Sequence, residues 1–540
     1  MNRLMTWPGA GVLLTLVIAL QIGSCGGGSP ANDSAVLERA IGQEPESMDP
    51  QRARTTQAFA VLRDLFEGLV TYSADGELER GVAEAWDLSP DGLRYTFTIR
   101  PELAWSNGDP LTAGDFVFSL RRLMTPETAA PNAATLQAII NAPEIIAGEL
   151  PSSELGVSAP DPQTLVIELS RPVPYFLSLL TLPAAFPVHE ASIEQHGERF
   201  DRPGVLVSNG AYRLNDWVLG SVIDLLANEQ YRDADNVAIR RVRHHAIQEP
   251  SVELNRYRAG ELDVTSTVPT ADFANLTSTF GSQLRIAPTL TVYFYGFSLN
   301  DPVLADNPDL REALSLAVDR ERLVTQVVGR GELPAYSFVP PGVLNYESPT
   351  LPFAGMDRDA RHELARRRYA AAGFDADNPP KLTLRYNTSD THRRIAVAIQ
   401  DMWREVLDLE VELINEEFRV LVANVQAMQV TQIFRLGWSG EYNDAKAFLE
   451  IFESNNPSNY YGFESAAYDR LMGQAENQLD LDRRRLHLEE AEREVLGNHV
   501  VIPIYFTVSK HLVKPYVRGW QDNVLDYHYS RHLSLDARQP

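Results

Sequence analysis

The sequence predicts an α/β protein of more than one domain. Residues 381–386 read as a short strand, 392–407 as a helix with Ile395, Ile399, Met402, Trp403 and Val406 on one side, and Leu409, Val411 and Leu413 alternate with Glu410 and Glu412. Strand, helix and strand in that order make a βαβ unit, a parallel pair joined by a helical crossover. Elsewhere, Phe59, Leu62, Leu65, Phe66 and Leu69 form a helical stripe ending near Gly68, whereas Tyr95, Phe97 and Ile99 alternate with Thr96 and Thr98 as a half-buried strand. The chain has 540 residues and one cysteine, so its core rather than disulfides must hold it, and it is long enough for two or three domains.

Taken in order, Arg3 precedes an apolar run over residues 10–20, followed by Ile22, Gly23, Ser24 and Cys25. A membrane span needs about 20 apolar residues, so this shorter run reads as an export signal. Ile-Gly-Ser-Cys resembles the lipobox of bacterial lipoproteins, which implies a signal over 1–24, lipid on Cys25 and a flexible tether over 25–35. Residues 37–41 then form a short strand running into Glu44, Pro45 and Glu46, a segment that reads equally as a cleft edge and as a surface turn. After the strand at 94–100, residues 105–110 make a tight turn, and Thr112 and Asp115 are caps for the helix that follows.

The window with the most chemistry is 435–444, RLGWSGEYND. Gly437 and Gly440 bare the backbone to another chain, Trp438 offers an aromatic wall, and Arg435 and Glu441 place opposite charges within seven residues. A free peptide carries the complementary groups. The same window also reads as a strand, a glycine turn and a solvated ion pair. Near the βαβ unit, Ser389 or Asp390 caps a helix start whose free amides gather near His392, a place for a carboxylate.

Composition excludes several classes. With 73 Asp and Glu against 48 Lys and Arg, the net charge of −25 repels nucleic acid, and no basic patch offsets it. His244 and His245 are adjacent and His362 stands beside Glu363, neither with the spacing of two metal ligands on one helix face, so no metal is expected. Gly437-Trp438-Ser439-Gly440-Glu441 misses the final glycine of a nucleophile elbow, and no phosphate loop occurs, so the chain reads as no enzyme and needs no cofactor.

The segments EGLV at 67–70, GVAEAWDLSPDGLRYTFTIR at 81–100, WSNGDPLTAGDFVFSLRR at 105–122, NGAYRLNDW at 209–217, NRYRAGELDV at 255–264, YNTSDTHRR at 386–394 and LVKPY at 512–516 together resemble the large peptide-binding proteins of bacterial ABC importers, solute-binding family 5, in their oligopeptide and murein-peptide branch. The resemblance spans essentially the whole mature chain. It implies a periplasmic-binding-protein-like fold of two α/β lobes with a hinge, a discontinuous first lobe over 36–56, 186–290 and 508–540, an inserted extra domain over 57–185 and a second lobe over 291–507. By the same resemblance Glu441 stands where the family has an aspartate for the peptide ammonium. Gly437, Trp438 and Ser439 supply backbone on one side of the peptide and Glu44, Pro45 and Glu46 on the other. Arg435 and His392 receive the peptide carboxylate, Trp438 and Phe418 line side-chain pockets, and Gln426 and Val328 occupy positions where the family has cations. The implied protein is a monomeric, lipid-anchored extracytoplasmic receptor, periplasmic if the host has an outer membrane, that passes short peptides to an ABC permease and ATPase. The alternatives are another ligand on the same scaffold (a murein peptide, a metal chelate or a sugar) and a surface chaperone or signalling lipoprotein.

Overall fold

The computed structural model describes residues 36–270, 273–429 and 432–537. Cys25, the apolar run before it and the tether lie outside the described residues. No helix among the described residues is long and apolar enough to cross a membrane.

Three sheets carry the architecture. The first lobe has a four-stranded sheet in the order Val36–Gly42, Arg241–Ala246, Val222–Ala227 and Tyr212–Val218, its first pair parallel and the rest antiparallel. Single bridges from Arg39 to Val264 and from Val264 to Val513 bring the distant C-terminal stretch to it, so this lobe is discontinuous in sequence. A second four-stranded sheet, Ala83–Leu88, Arg94–Ile99, Thr164–Glu168 and Val157–Asp161, belongs to the inserted region. Its Tyr95, Phe97 and Ile99 are buried as the alternation requires, in one hydrophobic cluster with Leu37, Val242 and Leu225 of the first sheet. Asp115 caps its helix as expected, accepting from the Thr112 N–H at 2.8 Å and lying 3.0 Å from Thr112 Oγ1.

The second lobe is built on a six-stranded sheet, Leu333–Pro334, Val501–Leu512, Leu284–Phe297, Ile433–Ser439, Leu382–Asn387 and Val411–Glu416. The last two strands are parallel and joined by the helix Asp390–Leu407, which is the βαβ unit read from the sequence. Side chains alternate across the central strand: Tyr293, Tyr295 and Phe297 enter one core with Ile395, Ile399 and Trp403, whereas Val292 and Phe294 enter another with Tyr468, Leu488 and Val495. With both faces covered, the strand reads as a near-continuous apolar run.

Two long strands tie the lobes together. Leu284–Phe297 and Val501–Leu512 pair antiparallel in two blocks, 284–288 with 508–512 and 292–296 with 501–506, and the register shifts between them. The boundaries expected near 290 and 507 fall inside these strands, at the shift.

The helix expected over 59–69 runs instead over Thr56–Leu65. Tertiary main-chain pairing ends it early. The Leu65 carbonyl accepts from the Gly210 N–H at 2.8 Å, and Asn209 accepts from the Glu67 N–H at 3.1 Å while donating to its carbonyl at 2.8 Å. A Cβ on Gly210 would lie 2.6 Å from the Leu65 carbonyl carbon, so only glycine permits this approach.

Arg320 locks the second lobe from inside. Its side chain is fully buried and donates to the carbonyls of Ala335 at 2.9 Å, Pro503 at 2.7 Å, Ser315 at 3.1 Å and Val318 at 3.3 Å, and to Ser315 Oγ at 3.1 Å. Arg320→Met should lower the midpoint of chemical unfolding by an amount equivalent to at least about 3 kcal/mol, because several buried acceptors lose their donor together. An unchanged midpoint would show that water replaces the guanidinium.

Candidate functional site

The Ile433–Ser439 strand has a neighbour along its whole length on one side only. Thr291 to Phe297 pair with Ser439 to Ile433 in antiparallel register. On the other side, Leu384 and Arg385 pair with Ile433 and Phe434, and among the described residues no strand continues beyond that point. One edge of 436–439 is therefore open. Gly437 is exposed, and a Cβ there would meet only ordinary contacts at 3.5 Å and 3.6 Å, so no packing within the chain demands a glycine. Gly440 differs, since a Cβ would lie 2.7 Å from the Phe448 ring.

At the start of this edge, Arg435 and His392 converge on Tyr293. The Arg435 guanidinium carbon sits 4.4 Å from the Tyr293 ring centroid, and the Tyr293 hydroxyl is 3.2 Å from His392 Nδ1. Arg435 is half-buried, donates to Asn387 Oδ1 at 3.2 Å, has a buried Nε without an acceptor, and finds no carboxylate within ion-pair distance among the described residues. Burial, reinforced by the Arg435 charge, pushes the His392 imidazole down to about 4. A second positive charge is disfavoured here, while an anion would relieve both groups. Tyr293, Asn387 and Tyr505, which stacks on Tyr293 at 4.6 Å, complete the cluster and were not singled out in the sequence. The only signal for Tyr293 is the run of tyrosines and phenylalanines at 293–297, which reads as ordinary core.

Past the other end of the edge, Glu441 is exposed and has no ion-pair partner among the described residues. Its loop is fixed nonetheless. The next residue, Tyr442, stacks on Tyr175 of the inserted region at 4.6 Å, and the Asp444 carboxylate is held by Arg484 through bonds of 2.7 Å and 2.8 Å. Glu441 borders a cavity of about 180 Å³ between the inserted region and the second lobe, together with Arg171, Tyr175 and Lys446.

The remaining expected positions are more dispersed. The Trp438 indole is half-buried and donates to the Ala447 carbonyl at 2.7 Å, and Ser439 Oγ lies 2.8 Å from Thr291 Oγ1. Phe418 is 53% exposed at the start of its helix, Gln426 reaches the Tyr460 hydroxyl at 3.5 Å, and Val328 is buried in core. Glu44 accepts from Trp217 Nε1 and from the Gly220 N–H, both at 2.9 Å, and Pro45 is buried. Glu46 accepts from the backbone of Arg54 and Thr55 and from Thr55 Oγ1 at the start of a helix. No hydrogen bond joins residues 44–46 to 435–441 among the described residues. His244 is buried with Nε2 3.1 Å from the buried Asp64 carboxylate, and its Nδ1 has no hydrogen-bond partner among the described residues.

Residues 77–460 match the model of the bacterial extracellular solute-binding proteins, family 5. The periplasmic oligopeptide-binding protein OppA of Escherichia coli (strain K12) is 35% identical over 507 residues, 93% of either chain. The unliganded open form of the murein tripeptide-binding protein MppA superposes with a TM-score of 0.89 at 34% identity, over 93% of this chain and 98% of that one. A second structure of MppA, from Escherichia coli, gives only 0.69 at the same identity, over 93% and 99% of the chains. Both are MppA, so the difference is one of overall arrangement, and this chain shares that of the open form. The chain belongs to the bacterial extracellular solute-binding proteins of family 5.

Proposed function

We propose that the chain captures short peptides with free termini between its lobes, outside the cytoplasmic membrane, and passes them to an ABC importer. One observation carries this reading: among the described residues, an open strand edge at 436–439 lies between a half-buried Arg435 without a counter-ion and an exposed Glu441 without an ion-pair partner. An extended peptide laid along that edge has its carboxylate at Arg435 and His392 and its ammonium at Glu441, which makes it antiparallel to the strand. Main-chain pairing with Gly437 to Ser439 ignores side-chain identity, and Trp438 and Phe418 flank the residues that point outward. Closure about the register shift in the two long strands brings Glu44 to Glu46 onto the peptide's other side. The relatives named above, one binding oligopeptides and one a murein tripeptide, support the ligand class. Cys25 carries the lipid that keeps the receptor at the membrane.

Native mass spectrometry of the chain purified from its host without unfolding tests the reading directly. A ladder of masses that sequence as mixed short peptides is the expected result. One dominant non-peptide mass, or an empty protein that ignores added peptides, would overturn it.

Closure desolvates the charged contacts, and removing one member of such a pair costs about 2 kcal/mol or more. Glu441→Gln should therefore weaken a free-amine peptide at least about 30-fold in calorimetry, with little effect on its N-acetylated form. Equal losses for both peptides would place the ammonium elsewhere.

A ligand carboxylate facing His392 raises its pKa above the free value of about 4, so binding takes up a proton. The gain in affinity is full below the free-state pKa and is lost as pH rises through the bound-state pKa. Affinity should thus tighten as pH falls from about 7.5 to about 5, a window above the peptide carboxyl's own titration. His392→Gln, or an amidated peptide C-terminus, should flatten that profile, and a wild-type profile already flat would remove His392 from the site.

A further inference from the structure

A cluster outside the strand edge has chemistry that peptide capture does not use. His511, near the end of the Val501–Leu512 strand, meets Asp526 and His528 from the C-terminal stretch, and one ligand atom from each lies within 4.8 Å of the others. We infer that these three side chains bind a divalent first-row transition ion, with Zn²⁺ the best match to two imidazoles and one carboxylate.

Tautomer geometry carries the inference. His511 Nδ1 lies 2.9 Å from the Thr265 carbonyl, which can only accept, so this nitrogen holds the hydrogen and Nε2 of the neutral ring presents a lone pair. That Nε2 is 2.8 Å from Asp526 Oδ1, and His528 Nε2 is 3.1 Å from the same oxygen. His511 Nε2 and Asp526 Oδ1 are two acceptors facing one another at 2.8 Å and require positive charge between them, either as an added proton or as one cation, and the His528 tautomer with its hydrogen on Nδ1 turns a third lone pair to the same point. The backbone carbonyl behind His511 is the orienting partner that metal-bound histidines use. His528 is fixed by Trp520, whose ring stacks on it with centroids 3.6 Å apart, while Trp520 Nε1 donates to Asp522 at 3.0 Å. The ligand atoms would sit roughly 3.3 Å apart, the edge of a tetrahedron with bonds of about 2.0 Å, close to the 2.8 Å and 3.1 Å separations already present.

The surroundings provide access and charge balance. The histidine side chains are 10% and 6% exposed but that of Asp526 is 34% exposed, and all three border a cavity of about 280 Å³ that leaves room for water as a fourth ligand. The nearest cation, Arg39, donates to the His528 carbonyl at 2.7 Å and to Ser530 Oγ at 2.8 Å, and Asp64 offsets its charge. Arg63 is engaged over the Tyr527 ring at 3.4 Å. A bound ion would pin the C-terminal stretch to the first-lobe end of the paired strands.

The test uses the full mature chain, free of any affinity tag, stripped with a chelator and titrated with Zn²⁺ and with Co²⁺. One Zn²⁺ per chain, the visible absorption of four-coordinate cobalt, and a thermal midpoint that rises with Zn²⁺ are expected. His528→Gln and Asp526→Asn should each weaken Zn²⁺ at least about tenfold and abolish the rise in midpoint, while circular dichroism and peptide affinity stay unchanged. Failure to take up Zn²⁺ stoichiometrically, or uptake that survives both substitutions, overturns the site.

Discussion

Among the described residues, Leu284–Phe297 and Val501–Leu512 are long strands that run from the first lobe into the second, and their broken register is the constraint on which the rest of the molecule depends. A continuous ladder would resist bending between the lobes more than this interrupted one does. Pro288 has no N–H to donate, and at the shift a contact of 2.6 Å between Thr289 and Thr507 hydroxyls stands where ladder bonds would run. Bending there costs few bonds. Pairing resumes on either side, with a further register shift between Tyr293 and Phe294, and holds the two strands together within each lobe.

The charged groups of the cleft make sense against that background. Arg435 is held half-buried by Tyr293 and Asn387 with no counter-ion, a state that disfavours the empty protein and favours any arrangement that brings an anion to it. Glu441 sits at the far side in water, on a loop fixed by Tyr175 and Arg484, so its charge is presented without being consumed by a local partner. Under the proposed function, opposite charges held apart in this way would measure a ligand by its ends. The backbone edge between them measures nothing about side chains.

The fold was largely legible. The βαβ unit, the strand at 94–99 and the Thr112 and Asp115 cap all depend on local periodicity or capping chemistry, and the structure forms them where that chemistry points. The helix read as 59–69 failed at its end because Asn209 and Gly210, about 140 positions away, capture its last carbonyls, and no local pattern records that. The site divided in the same way. Arg435, Glu441 and His392 were visible as charged or titratable residues beside glycines and a helix start, whereas Tyr293 hid in a run that looks like core. Val328 looked like a lost cation and is a core side chain. His511, Asp526 and His528 escaped the search for metal ligands because that search tested helix spacing, and these three meet between a strand and an irregular stretch.

An open edge does not choose its partner. The backbone at 436–439 offers the same unpaired groups to an extended ligand, to an unfolded chain and to a second copy of this chain. The stretch is only four residues long and has like-for-like charge at each end, so two copies laid side by side in parallel would set Arg435 against Arg435 and Glu441 against Glu441. An antiparallel pair would escape that repulsion but must bring two whole second lobes into contact. Anything laid along this edge thus also closes it to other strands.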